Sequence, residues 1–129
     1  MIIKRNINFV LLILQFSIFV FLSSCEGSKK QIKFDKNKWN EQTDQLFPPS
    51  YRSQMLTDLM TSYRLKGLKY SELIELLGVP DAKDSSSLSY KIIVDYERDI
   101  DPVYTKELVF SFSKDSVITA FKVNEWKKK

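Results

Sequence analysis

The segment ELVFSFSKDSVITAFKV, Glu107 to Val123, alternates large apolar residues with polar or smaller ones on either side of a short polar break. Leu108, Phe110 and Phe112 recur every second residue, and so do Val117, Thr119, Phe121 and Val123. A period of two places successive side chains on opposite faces of an extended chain, so each run predicts a half-buried strand. Lys114-Asp115-Ser116 supplies the short turn between them. Upstream, Leu88, Tyr90, Ile92, Val94 and Tyr96 alternate with Ser89, Lys91, Ile93 and Asp95, which predicts a further strand and a three-stranded antiparallel meander.

Ahead of the polar loop DAKDSSS the period is helical. Pro48-Pro49-Ser50 announces a helix with Ser50 as N-cap, and Met55, Leu56, Leu59, Met60 and Tyr63 form one apolar stripe over 52–65. Gly67 is expected to close that helix. Leu73, Ile74, Leu76 and Leu77 mark a second helix over 70–77, closed by Gly78, with Pro80 preventing its resumption. The expected fold class is therefore α+β: two helices followed by a three-stranded antiparallel meander, with the helices packed on one sheet face.

Strict alternation would give the other sheet face Ile93, Val109, Ile118 and Ala120, beside Lys91, Ser111 and Lys122. That mixture is more apolar than a solvated face requires, so those four residues form the candidate partner surface. The alternative, and the preferred reading, is that the chain covers the face itself with residues 34–50. There Phe34, Trp39 and Phe47 make an aromatic arm in otherwise polar sequence.

The N-terminal MIIKRNINFVLLILQFSIFVFLSSC has the layout of an export signal, with Lys4 and Arg5 ahead of an apolar run from Phe9 to Leu22. Fourteen helical residues cover about 21 Å, short of a hydrocarbon core of roughly 30 Å. An uncleaved anchor beginning at Ile7 is the competing reading. Leu22-Ser23-Ser24-Cys25 resembles the bacterial lipobox, and the resemblance implies cleavage between Ser24 and Cys25 and lipidation of the Cys25 thiol. Two or three acyl chains hold a protein at a membrane where one binds marginally. Cys25 is the only cysteine, so an intramolecular disulfide is excluded, and lipidation accounts for its position. In sorting as enteric bacteria practise it, Glu26 rather than aspartate after the cysteine points to the outer membrane, facing the periplasm.

These readings divide the chain into a signal peptide (1–24), a lipidated N-terminus and tether (25–33), the aromatic arm (34–50), an α+β domain (51–126) and a basic tail (127–129). The lysines of the tether suit either an anionic membrane surface or plain solvation.

The stretch KGLKYSELIELLGVPD, Lys66 to Asp81, resembles the signature of the SmpA/OmlA family of small outer-membrane lipoprotein domains, found in the BamE subunit of the β-barrel assembly machine. Gly67, Leu68, Leu77, Gly78 and Pro80 match its glycine, large apolar residue and Leu-Gly-x-Pro helix end. Leu88-Ser89-Tyr90 is similar to its aromatic-x-Tyr strand opening, and Glu107–Val123 to its last hairpin. Lys69 and Ser116 depart from the family's helix-cap hydroxyl and turn glycine. The resemblance implies a BamE-like fold and an envelope location, and carries over no binding residue.

Other chemistry finds little support. The chain has no histidine, which removes the commonest general base and metal ligand. Net charge is +4, of which Lys4 and Arg5 supply two; such a balance does not predict nucleic-acid binding. Asp95, Glu97, Asp99 and Asp101 alternate in DYERDID, but strand spacing keeps alternate residues apart, so an acidic loop is expected rather than a calcium site. Ser85-Ser86-Ser87 lacks an activating base. No catalytic residue, metal, cofactor or small-molecule substrate is expected. The functional expectation is a lipid-anchored, non-enzymatic envelope protein that binds a protein partner, as a scaffold in outer-membrane assembly or maintenance. The alternative is an inhibitor or immunity lipoprotein acting on a secreted or periplasmic enzyme.

Overall fold

The computed structural model describes residues 29–129. Three short helices, α1 (Lys36–Trp39), α2 (Arg52–Ser62) and α3 (Tyr70–Leu77), precede four strands: β1 (Ala82–Lys83), β2 (Ser87–Asp95), β3 (Tyr104–Phe112) and β4 (Ile118–Lys127). The strands form one antiparallel sheet in the order β1-β2-β3-β4. The predicted meander is β2-β3-β4. Two elements add to the expected set, and both are made by aspartates. Asp35 caps α1 by accepting the Lys38 N–H at 3.0 Å. Asp84 accepts the N–H groups of Ser86 and Ser87, at 2.8 and 2.7 Å, and folds the DAKDSSS stretch back so that β1 pairs with β2. Neither element has a hydrophobic period, so periodicity cannot reveal them.

Helix α2 stops at Ser62, short of the expected 65, because Tyr63 is extended (φ −117°, ψ 137°). Ser50 does not cap it; Tyr51 occupies the cap position and makes no side-chain bond there. Gly67 (φ 94°) therefore ends no helix. It lets the chain cross the start of β4, where its N–H donates to Ile118 O and the Ile118 N–H donates to Leu68 O, both at 2.8 Å. Gly78 does close α3, at φ 84°, and a Cβ there would lie 2.8 Å from the Asn40 side chain. Both the backbone angle and that close approach require glycine.

The core lies between the helices and the inner sheet face. Leu88, Tyr90, Ile92, Leu108, Phe110 and Ile118 from the sheet meet Met55, Leu56, Leu59, Leu73 and Leu77 from the helices. Trp39 is wholly buried among them. Edge-to-face contacts run from Phe34 to Trp39 to Tyr90 to Phe110, with ring centroids 5.8, 6.1 and 6.1 Å apart. The arm is thus a third wall of the core. The Ile32 N–H donates to Gln54 O at 3.0 Å, and the Phe34 N–H to Asp58 Oδ2 at 2.8 Å, which pins the arm along α2. The expectation that residues 34–50 cover the outer sheet face is not met by its main anchors: Phe34 and Trp39 pack on the helix side, while Phe47 stays exposed and meets only the Tyr96 ring, edge to face at 5.9 Å, beyond the end of β2.

Two β-bulges correct the assignment of faces. Lys91 pairs with Glu107 but Ile93 pairs with Lys106, leaving Ile92 as the extra residue. Ser111 pairs with Ala120 but Phe112 pairs with Ile118, leaving Thr119 extra. An inserted residue reverses the in–out alternation beyond it. Ile93 consequently packs against the core, and Ile118 is 1% exposed within it. Neither belongs to the outer surface to which strict alternation assigns them.

Candidate functional site

The polar centre of the molecule is Arg52, a charged residue only 3% exposed. Its Nε–H donates to Trp39 O at 3.0 Å, and Nη1 donates to Asp81 Oδ2 at 2.7 Å and Lys91 O at 2.9 Å. The guanidinium also lies over the Trp39 and Tyr90 rings, 5.2 and 5.7 Å from their centroids. Asp81 Oδ2 in turn accepts the Lys91 N–H at 2.8 Å. Arg52 and Asp81 thus satisfy both backbone groups of Lys91 just ahead of the start of β1. The pair ties arm, helix α2, the α3–β1 connection and β2 together at one point. Its chemistry is structural, since all those donors and acceptors are already engaged. The Arg52 position was legible: it stands three, four and seven residues before Met55, Leu56 and Leu59, on the buried stripe.

Nearby, the Tyr90 hydroxyl donates to Gly78 O at 2.7 Å, and burial pushes its phenol above the ordinary range. The Trp39 Nε1–H is buried with no acceptor among the described residues.

A surface concavity lies on the helix side, a groove of about 480 Å³ lined by Tyr63, Leu68 and Leu76. Lys36, Arg64, Glu72 and Glu75 ring it with both signs of charge. An apolar floor with a mixed polar rim is the usual anatomy of a protein-binding patch. The sequence gives no direct sign of it, because its walls come from the arm, the end of α2 and α3, which only tertiary packing unites. A second hollow, of about 340 Å³, lies beside β1 and β2 and contains Ser87, Ser89, Glu107 and Val109.

Of the four residues of the expected partner surface, the structure keeps Val109 and Ala120 on the outer face and turns Ile93 and Ile118 inward. What remains outside is mainly polar: Ser111, Lys91 and Lys122 alternate around half-buried Val109. Among the described residues the four therefore do not form one apolar patch on the outer face. Ser24 and Cys25, the cleavage and lipidation positions, lie outside the described residues.

The acidic run is engaged locally. Asp95 Oδ1 accepts the Glu97 N–H at 2.9 Å, and Asp99 accepts the Lys128 ammonium at 2.6 Å and the Ile100 N–H at 2.8 Å. The bond to Lys128 is the main reason the Asp99 carboxyl is held below the ordinary range. Among the described residues no three Asp, Glu or Cys side chains converge as a metal cluster. Ser86 and Ser87 serve the Asp84 turn, where the Ser86 N–H leads the contacts that lower the Asp84 carboxyl. Trp126 is half exposed, on the outer face opposite Thr105.

Comparison with protein-family models, with curated proteins and with solved structures yields no match for this chain. Among the described residues no helix is long and apolar enough to cross a membrane.

Proposed function

We propose that this chain is a lipid-anchored, non-enzymatic envelope protein that binds a protein partner at a membrane surface. The observation that carries the reading is Leu22-Ser23-Ser24-Cys25 placed directly after a short apolar run. The docked arm adds a physical consequence. Ile32 is already bonded to helix α2, so seven chain steps separate it from Cys25. Seven residues span at most about 25 Å. A domain on so short a lead works at the membrane surface, and the helix-side groove is the surface it presents to a partner there. The SmpA/OmlA resemblance makes the β-barrel assembly machine the first partner to test, with a role in outer-membrane assembly or maintenance.

The test is chemical first. Cells given radiolabelled palmitate should label the native chain and not Cys25→Ser, and only the native chain should sediment with membranes. Cross-linking followed by detergent extraction should then recover a membrane protein with the native chain, and lose it with Leu76→Lys in the groove. Absence of label on the native chain would overturn the anchor. Equal recovery of one soluble enzyme with native and Cys25→Ser forms would replace the scaffold reading with an inhibitor or immunity protein.

A further inference from the structure

We infer that the open edge of β4 is a self-association surface, on which a second copy of this chain pairs its own β4 antiparallel, joining two sheets into one. The inference is independent of the lipid anchor.

The argument begins with the direction of the backbone groups. Phe112 donates its N–H to Ser86 O, towards β2, while Lys128 donates to Val103 O and Val117 O accepts from Ser113, both within the β3–β4 side. Alternation along the ladder then turns Ala120, Lys122, Asn124 and Trp126 towards β3, and Phe121, Val123, Glu125 and Lys127 towards the free edge. Among the described residues no hydrogen-bond partner is found for the backbone N–H or C=O of those four. At the start of the strand the edge is closed, because Gly67 and Leu68 take the backbone groups of Ile118. The available window is therefore 120–128, and its centre is Asn124.

A symmetric antiparallel pair that uses the whole window must centre on that residue. Asn124 then faces Asn124 of the second copy, Lys122 faces Trp126, Val123 faces Glu125, and Phe121 faces Lys127. No like charges stand opposite one another. On the outer face the Lys122 ammonium meets the ring of Trp126, which is 52% exposed in the single chain, a pairing of cation with aromatic face. Moving the centre to Glu125 would oppose Glu125 to Glu125 and Lys122 to Lys128; moving it to Lys122 would oppose two lysines. Like charges directly opposite destabilise a ladder, so the charges disfavour the centres at Lys122 and Glu125, and use of the whole free window selects Asn124.

Asn124 points its backbone groups towards β3, so the two copies of it would form a non-hydrogen-bonded pair with Cα atoms about 4.5 Å apart. That spacing suits a disulfide. The experiment uses the full chain in detergent, with Asn124→Cys made both in the native background and with Cys25→Ser, so that Cys25 chemistry cannot be mistaken for pairing. Mild oxidation should convert Asn124→Cys to covalent dimer in both backgrounds. Lys122→Cys, whose two copies would be four residues out of register, should cross-link more slowly by about tenfold or more. Glu125→Pro removes one outward N–H and none of the bonds to β3, the placement an edge strand tolerates. It should abolish the Asn124→Cys cross-link and reduce the light-scattering mass from dimer to monomer. A native chain of monomer mass would overturn the inference and assign Lys122 and Lys127 to keeping the edge apart. So would equal cross-linking at 122 and 124, or a Glu125→Pro chain that stays dimeric.

Discussion

At one side of the sheet β1 lasts two residues, and then side chains continue its work: Asp81 takes the Lys91 N–H and Arg52 the Lys91 carbonyl. At the other side β4 runs ten residues with its outward backbone groups unpaired among the described residues beyond Ile118. A sheet edge is a row of donors and acceptors that something must satisfy, whether protein or water. On the β2 side the protein supplies partners from β1 and from the Arg52–Asp81 pair, so that stretch of edge is already occupied. On the β4 side no described residue does so beyond Ile118, and the edge stays available. The occupied flank and the flank proposed for association thus lie on opposite sides of one small domain.

Truncating the arm should break the contrast most severely. Trp39→Ala removes a fully buried indole from the aromatic chain and should cost about 3–5 kcal/mol, read from the urea midpoint. A cost below about 1 kcal/mol would mean that the arm only decorates the core. Arg52→Ala comes next. It leaves the Trp39 and Lys91 carbonyls without their side-chain donor and the Asp81 carboxylate with only the Lys91 N–H, and about 2–4 kcal/mol should be lost; solvent reaching Asp81, whose side chain is 32% exposed, limits the figure. Asp81→Asn keeps an acceptor for Lys91 but removes the charge opposite Arg52, and should cost about 1–2 kcal/mol.

A pH measurement separates the arm from the rest. The Phe34 N–H, followed by the Ser62 hydroxyl, holds the Asp58 carboxyl below its ordinary value of 3.8. A carboxyl lowered on folding contributes its stabilisation fully above the unfolded value and loses it as pH falls through the folded one. The protection factor of the Phe34 amide, with the intrinsic pH dependence of exchange divided out, should therefore fall only as the solution is acidified below 3.8, and Asp58→Asn should remove that acid step. A protection factor that does not change across this acid range would show the arm to be held by other contacts. On the open flank, Lys127→Ala should change the unfolding midpoint by no more than about 0.5 kcal/mol. A larger loss would mean that the β4 edge also contributes to the fold.

Periodicity carried the reading of the meander and of α3, where apolar residues outnumber exceptions and the caps are glycine and proline. It failed wherever a hydrogen bond rather than a hydrophobic face makes the element. Asp35 creates α1, Asp84 creates the turn to β1, and Tyr63 ends α2 before its apolar stripe runs out. The larger error was one of parity. Ile92 and Thr119 are single insertions that no local composition marks, yet each reverses the facing of its neighbours, so Ile93 and Ile118 moved from candidate surface to interior. Arg52 shows the converse. Its position on the buried stripe was visible, but which partners would neutralise it depended on Asp81 and Lys91, far along the chain. The groove, assembled from three separated segments, had no local signature at all.

The contact between Trp39 and Tyr90 also dictates an order of events at synthesis. A chain delivered N-terminus first presents Phe34 and Trp39 well before β2 has emerged, and domains generally complete their folding as units. The first aromatic residues of the domain to appear are then obliged to wait for the sheet that shelters them. During that interval they are the surface a holdase would grip, and any delay in finishing β2 prolongs their exposure.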